Sequence, residues 1–215
     1  MTLFLPGFEP PRPIATVGND GAGDEWYTPR HIVRAVSQAL GGIDVDPCAA
    51  ANSPVQANYC IDVRNGGDGL RDAWPPGAAY VNPPYSDAAA WLQRCHDEAS
   101  NGRDIVALVA MRPETRAWWS HIWQAGAYVV QHRARLKFVA NDGQTYGAGR
   151  IATAFVCWKK MIAFDLVDAL ACVGVDAVVL ATLRDGDTHK RNTERHTKKM
   201  VTRGVTHNQL ESFKS

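Results

Sequence analysis

The sequence of 215 residues lacks long apolar runs and an excess of charge. No apolar stretch approaches the ~20 residues that a membrane-spanning helix needs, so we predict no membrane association. The N-terminal residues 1–13 lack the basic start and unbroken apolar stretch of a secretion signal. With 46% hydrophobic and 21% charged residues, the chain can bury a core. These features predict a soluble, intracellular protein.

Cysteine pairing patterns are also missing. The five cysteines are an odd number, are widely scattered and include no CxxC pair. This argues against a disulfide framework and against a structural zinc site. His189, His196 and His207 lie in a polar tail without ligand spacing. We therefore predict that the protein binds no metal.

The net charge of +1 does not by itself indicate a nucleic-acid partner. The distribution of charge is uneven, since residues 184–215 hold eight Lys or Arg against four Asp or Glu. Such a basic tail either contacts phosphates or is a solvated terminus. The Pro- and Gly-rich residues 1–23 show no hydrophobic period and predict an irregular arm. We expect one domain over 24–183, between this arm and the tail.

The first elements of that domain are a helix and two short strands. Helical spacing of apolar residues predicts a helix with Thr28 as N-cap and Pro29 in its first turn, ended by Gly41-Gly42. Short strands are predicted at 43–46 and 78–81. A second helix, with Ser86 or Asp87 as N-cap, extends to Gly102.

The second half of the domain continues the alternation. The run 105–110 predicts a buried strand by its length and composition. We predict a tryptophan-rich helix near 116–125, strands at 128–131, 136–139 and 151–158, and a further helix and strand within 161–183. A Gly-rich loop at 141–149 separates two of the strands. The pattern is typical of an α/β domain with a mostly parallel sheet, in which ligands bind at the carboxyl ends of the strands.

The most specific chemical signal is the tetrapeptide Asn82-Pro83-Pro84-Tyr85, here termed the NPPY motif, directly after a predicted strand. Methylation of an exocyclic amine is difficult because the nitrogen lone pair is delocalised into the ring. The side-chain oxygen of Asn82 and the carbonyl of Pro83 can accept hydrogen bonds from both amino hydrogens. Proline fixes φ near −65° and preorganises that carbonyl, and Tyr85 offers a face for stacking a planar base. The alternative for this motif is an ordinary turn.

Three further sequence motifs precede the NPPY motif in the chain. They are Asp24-Glu25-Trp26-Tyr27-Thr28-Pro29, Ile43-Asp44-Val45-Asp46-Pro47-Cys48-Ala49-Ala50 and Asp68-Gly69-Leu70 followed by Trp74. In these elements, over residues 24–158, the chain resembles the phage-type DNA N6-adenine methyltransferases, relatives of the Dam group. The resemblance implies a Rossmann-like S-adenosylmethionine-dependent methyltransferase fold, mostly parallel with an antiparallel late strand. It also implies DNA as substrate, a phage origin and action in the host cytoplasm.

The resemblance further implies roles for individual residues. The methionine part of S-adenosylmethionine would be held by Trp26, Thr28 and Pro29. The amino group of the cofactor would be engaged by Asp46, with Pro47 beside it. The cofactor adenine would be contacted by Asp68, and Asp62 is a weaker candidate for the ribose hydroxyls. Each aspartate has an alternative as an ordinary strand-end or loop residue, and Thr28-Pro29 as a helix cap.

The chain departs from methyltransferases in general at one loop. The usual GxG loop is replaced by Cys48-Ala49-Ala50-Ala51, whose small side chains still allow close approach. Pro47-Cys48 is similar to the nucleophile of cytosine-C5 methyltransferases, but nitrogen methylation needs no thiolate attack. We therefore interpret Cys48 as a small packed residue.

For the basic residues and Phe138 between 116 and 138, the sequence allows either a contact with DNA or a structural role. Arg133, Arg135 and Lys137 alternate along a predicted strand and either touch phosphates or form a charged solvent face. Phe138 is either a stacking partner for the target base or, the commoner case, a core residue. The three tryptophans of the third helix are expected mostly in the core: Trp118, Trp119 and Trp123.

Direct methyl transfer to the N6 atom of a flipped adenine is thus the predicted reaction, with the NPPY motif at its centre. The sequence leaves three alternatives open. Related motifs serve cytosine-N4 methyltransferases and protein-glutamine methyltransferases. A catalytically inactive DNA-binding or partner-binding module on the same fold is the third, since fold alone does not fix function.

Overall fold

The structure is a computed structural model that describes residues 27–51, 53–133, 135–139 and 152–181. The predicted arm 1–23, Trp26, the Gly-rich loop and the basic tail lie outside these ranges. No helix within the described residues is long and apolar enough to cross a membrane.

Seven strands form one sheet in the described part of the chain. They are β1 Val45–Asp46, β2 Tyr59–Cys60, β3 Ala79–Val81, β4 Ile105–Ala110, β5 Tyr128–His132, β6 Thr153–Cys157 and β7 Ala177–Ala181. Their order across the sheet is β2-β1-β3-β4-β6-β5-β7. The pairs β1–β2, β1–β3 and β3–β4 are parallel, whereas β4–β6, β5–β6 and β5–β7 are antiparallel.

The predicted α/β class is therefore confirmed, and the mostly parallel sheet is confirmed only in part. Because β6 is antiparallel to both of its neighbours, β5 runs in the same direction as β4. The carboxyl ends of β1, β3, β4 and β5 consequently meet at one edge of the sheet, where the ligands of such sheets bind.

Helices cover both faces of this sheet. On one face lie α1 Arg30–Leu40 and α4 Lys160–Cys172, and on the other lie α2 Ala88–Ser100, α3 Arg116–Trp118 and a π-helix at Trp119–Trp123. Strand β4 is buried along its whole length because its alternate residues enter the two cores. This double burial explains the unbroken apolar run from which the strand was predicted.

Most predicted elements are confirmed, with shifted ends. Strands β1 and β3 are shorter than predicted, and the third helix is one α-turn followed by the π-helix. The predicted helix and strand within 161–183 correspond to α4 and β7. The strand β2, with both residues exposed, was not predicted because two residues are too few to show a period.

Two local predictions were wrong. The segment 136–139 is not a strand of the sheet: only Val139 pairs, in an isolated antiparallel bridge with Tyr27. The N-cap of α1 is Pro29 rather than Thr28, and no side chain caps this helix. As predicted, Gly41 ends α1 in the left-handed region, with φ of 70°.

Candidate active site

A cavity of about 630 Å³ opens at the carboxyl ends of β1 and β3. Its walls come from four stretches of chain that follow or precede these strands. The lining includes Tyr27, Thr28, Asp46, Pro47, Cys48, Val55, Ile61, Asp68, Gly69, Leu70, Arg71, Tyr80, Asn82, Pro83, Pro84, Tyr85 and Trp91. The cavity thus brings together all four residues of the NPPY motif with Thr28, Asp46, Pro47 and Asp68.

Asp46, the last residue of β1, supplies a buried carboxyl group to this cavity. It is only 4% exposed, and its Oδ1 accepts a hydrogen bond of 3.0 Å from the N–H of Cys48. Burial raises the pKa of Asp46 to about 7; the Cys48 hydrogen bond lowers it, and the nearby charge of Asp62 raises it. A buried carboxylate without a cation is costly, so this group is suited to binding a positively charged ligand.

Thr28 also lines this cavity, and its hydroxyl is tied to the sheet. Its Oγ1 is 2.7 Å from the hydroxyl of Tyr80, and both side chains are buried. The Thr28 hydroxyl is thus engaged with the sheet, and Thr28 precedes the N-cap Pro29 of α1. Burial raises the pKa of Tyr80 far above its ordinary value, so the phenol stays neutral.

The NPPY motif leaves β3 and turns into α2. Pro83 is buried, and Asn82, Pro84 and Tyr85 are half-buried along the cavity wall. Pro84 has φ −59° and ψ 143°, an extended conformation that carries the chain into a 3₁₀ turn at Tyr85–Asp87. The predicted cap position at Asp87 is confirmed, but its side chain makes no capping hydrogen bond.

The loop around Asp68 forms the opposite wall. Oδ1 of Asp68 accepts a hydrogen bond of 3.0 Å from the N–H of Leu70, and its Oδ2 is 3.4 Å from Nε of Arg71 at the surface. Gly69 packs so tightly that an added Cβ would collide with the Pro47 carbonyl and lie 2.6 Å from Trp91. The carbonyl of Gly69 accepts a 2.7 Å hydrogen bond from Nε1 of Trp74, which fixes the loop.

Two described residues that were predicted to contact the cofactor, Pro29 and Asp62, do not line the cavity. Trp26 lies outside the described residues. Pro29 forms the N-cap of α1 and lines a neighbouring groove instead. Asp62 does not line the cavity among the described residues; its carboxylate binds the Arg64 side chain at 2.5 Å and 3.0 Å, which lowers its pKa.

The cavity wall also includes residues that the sequence did not single out. Tyr80 comes from an apolar strand and Trp91 from the apolar face of α2, so both have the sequence signature of core residues. Val55 and Ile61 come from the irregular stretch between β1 and β3. These side chains give one side of the cavity an apolar surface suited to a planar ring.

Cys48 is half-buried and packs against the core on the α2 face. Burial and the charge of Asp46 raise the pKa of its thiol well above the ordinary value, against a smaller lowering by a backbone hydrogen bond from Asn82. A thiol in this state is a poor nucleophile, in agreement with its interpretation as a packed residue.

If the chain carries out the nitrogen methylation that its sequence resemblance implies, Cys48→Ala should keep methyl transfer within about threefold of the unchanged chain, because no thiolate takes part in that reaction. Initial rates with labelled methyl donor check this. A loss of all activity in a folded Cys48→Ala protein would contradict the nitrogen reaction and favour carbon methylation.

The predictions for the aromatic residues between 116 and 138 are confirmed only in part. Phe138 and Trp118 are core residues, as expected. Trp119 was predicted mostly in the core, which is wrong: its side chain is 56% exposed at the start of the π-helix.

Comparison with known proteins gives two matches. A model of the DNA N-6-adenine-methyltransferase (Dam) family matches residues 16–179. A DNA N-6-adenine-methyltransferase of Escherichia phage T1 is 23% identical over 134 residues, which cover 62% of this chain. The matched region spans 55% of the length of that relative.

Proposed function

The chain belongs to the DNA N-6-adenine-methyltransferase (Dam) family, and from this premise we propose that it methylates N6 of adenine in DNA with S-adenosylmethionine as methyl donor. The observation that carries the proposal is the shared cavity. A buried carboxyl group and the NPPY motif, at the ends of neighbouring parallel strands, line one space large enough for a small ligand.

The chemistry of the cavity fits S-adenosylmethionine. Asp46 is a buried carboxyl group that complements an ammonium group, and Thr28 lines the same cavity. Asp68 would accept from the cofactor adenine amine, against an apolar wall that includes Val55 and Ile61. Trp26 and Pro47 are proposed as further contacts on the family resemblance. When bound, this cofactor supplies an electrophilic methyl group on a sulfonium.

The NPPY motif would bind the target base. Asn82 Oδ1 and the Pro83 carbonyl are proposed to accept the two amino hydrogens of adenine, which directs the nitrogen lone pair toward the donor. Tyr85 would stack on the ring. The base must leave the duplex to enter the cavity, at a cost of a few kcal/mol. The nitrogen would gain the methyl group as the bond between this methyl carbon and the donor sulfur breaks, with S-adenosylhomocysteine as the leaving group, and would lose a proton to solvent.

We also assign the domain to the Rossmann-like methyltransferase fold. Support comes from the parallel strands β2, β1, β3 and β4 and from β6, which is inserted antiparallel between β4 and β5. Residues 24–183 are proposed as the methyltransferase domain, with the arm and the basic tail outside it.

The raised pKa of Asp46 predicts that cofactor binding depends on pH. The ammonium group binds the ionised carboxylate, and in the free protein this carboxylate is protonated below pH about 7. Affinity should therefore fall by up to about tenfold for each unit of pH below 7 and level off above it. Calorimetric titration with S-adenosylmethionine across this range measures the effect.

Asp46→Asn is the control for that titration. We expect weak binding whose affinity no longer changes with pH near 7. An affinity of the unchanged protein that is constant from about pH 6 to about pH 8 would contradict the proposed contact of Asp46 with the ammonium group.

The proposed function is tested by methyl incorporation. The full chain is incubated with methyl-labelled S-adenosylmethionine and unmethylated bacterial DNA, and the label in acid-insoluble DNA is counted. We expect incorporation that requires both substrates. Cofactor binding without label in DNA would refute the DNA substrate. Label in protein glutamine, in a parallel reaction with bacterial protein in place of DNA, would support the glutamine alternative.

A further inference from the structure

A second groove, also of about 630 Å³, lies next to the cavity. Here termed the basic groove, it is lined by Pro29, His31, Arg133, Arg135, Leu136, Lys137, Val139, Gly174, Val175 and Asp176. Among these residues three carry a fixed positive charge and one a negative charge. The chain as a whole has a net charge of only +1, so this concentration of charge is local.

The segment 135–139 carries two of the three cations of the groove, Arg135 and Lys137. Although it is not a strand of the sheet, its side chains alternate in exposure: Leu136 and Phe138 are buried in the core, and Arg135 and Lys137 are exposed. The two apolar residues act as anchors that direct the two cations to the surface. The cations are therefore aligned by the fold rather than carried on a loose loop.

Backbone contacts join the basic groove to the candidate active site. Tyr27 lines the cavity and Val139 lines the groove, and their backbones exchange two hydrogen bonds of 2.9 Å and 3.0 Å. The adjacent residues Thr28 and Pro29 likewise line the cavity and the groove, respectively. Arg133 follows β5, whose carboxyl end lies at the same edge of the sheet as those of β1 and β3.

Asp176, the acidic residue of the groove, does not cancel the positive charge of the groove. Asp176 lies 3.3 Å from Arg133, and the two side chains are 77% and 83% exposed. An ion pair at such exposure contributes little, so Arg133 can exchange this partner for another anion.

We propose that the basic groove binds the sugar-phosphate backbone of the substrate DNA beside the adenine that enters the cavity. This inference rests on the proposed function and adds the surface that holds the strand. Phosphates are the anions that lie next to a flipped base, and Lys and Arg side chains supply most of the contacts to them. The contacts carry no sequence information, so the groove positions the DNA and does not select the site.

The test compares the unchanged chain with Arg135→Gln/Lys137→Gln. Fluorescence anisotropy with a labelled duplex gives the slope of log K against log salt concentration, and steady-state kinetics give KM and kcat. We expect the slope to become shallower by about 1.8, because each phosphate contact contributes about 0.9. The KM for DNA should rise about tenfold at physiological salt, with kcat and the Kd for S-adenosylmethionine unchanged.

Two further variants separate loss of contact from damage to the fold. Lys159→Gln/Lys160→Gln removes the same charge at the opposite edge of the sheet, where β6 ends and α4 begins, and should leave the slope unchanged. Asp176→Asn removes the acidic residue of the groove and should lower the KM for DNA, a gain that misfolding cannot produce.

Failure of the inference differs from failure of the proposed function. If the unchanged chain methylates DNA while Arg135→Gln/Lys137→Gln keeps its salt slope and KM, the groove assignment alone is overturned. The same holds if Asp176→Asn weakens DNA binding. If the unchanged chain neither binds nor methylates DNA, both are overturned.

Discussion

Asn82→Ala is expected to lower kcat by about 10²–10³-fold, the usual effect of removing one preorganised hydrogen-bonding group from an active site. Asn82 lines the cavity at the end of β3, next to the buried Pro83. The amide oxygen is proposed to accept from the adenine amine, so its loss acts on the reacting nitrogen. The Kd for S-adenosylmethionine should stay within about twofold, since Asp46 and Asp68 are unchanged.

Asn82→Asp and Asn101→Ala complete this experiment. Aspartate keeps acceptor oxygens at position 82 and should retain more activity than alanine. Asn101 ends α2 at the opposite edge of the sheet, and its replacement should leave kcat unchanged. An Asn82→Ala protein that binds cofactor and turns over at the normal rate would contradict the role of the NPPY motif.

The second large effect is expected from Gly69→Ala. An added Cβ would meet the carbonyl of Pro47 and the ring of Trp91 in the wall of the cavity. Because one obstacle is backbone, a side-chain rotation cannot relieve the clash. We expect a loss of about 2–3 kcal/mol in the free energy of unfolding, which lowers Tm by roughly 5–10 °C, together with impaired cofactor binding.

Gly102→Ala is the matched comparison. Gly102 has φ +95° and open space around its Cβ position, so alanine there costs only conformational strain of about 1 kcal/mol. Differential scanning calorimetry and cofactor titration of both variants give the comparison. Equal losses of stability, with normal cofactor binding in Gly69→Ala, would show that the close packing of Gly69 and Pro47 is unimportant.

Periodic apolar patterns predicted the fold well. Strand β4 was predicted from an unbroken run of apolar residues, and helix α1 from apolar residues that recur at each helical turn. The segment 136–139 shows the limit of that reasoning: alternation reports which side chains are buried, and here it arises without strand pairing. Strand β2 is the opposite case, since it pairs with β1 but buries neither residue.

The candidate site was predictable where a residue type is chemically unusual for its position. Asp46 and the NPPY motif interrupt apolar strands with polar or rigid groups, and the structure brings both to one cavity. Tyr80 and Trp91 were missed because the sequence does not show which core residues face an opening. The Thr28–Tyr80 hydrogen bond joins residues 52 positions apart, and local rules that assign Thr28 to a helix cap cannot detect it.

Identification of the methylated nucleoside tests the central claim most directly. DNA labelled by the full chain is digested to nucleosides, which are separated and identified by mass spectrometry. We expect the label in N6-methyldeoxyadenosine, and we expect Asn82→Ala to remove it. Label in N4-methyldeoxycytidine would contradict the adenine assignment, and label in C5-methyldeoxycytidine would contradict the reaction itself.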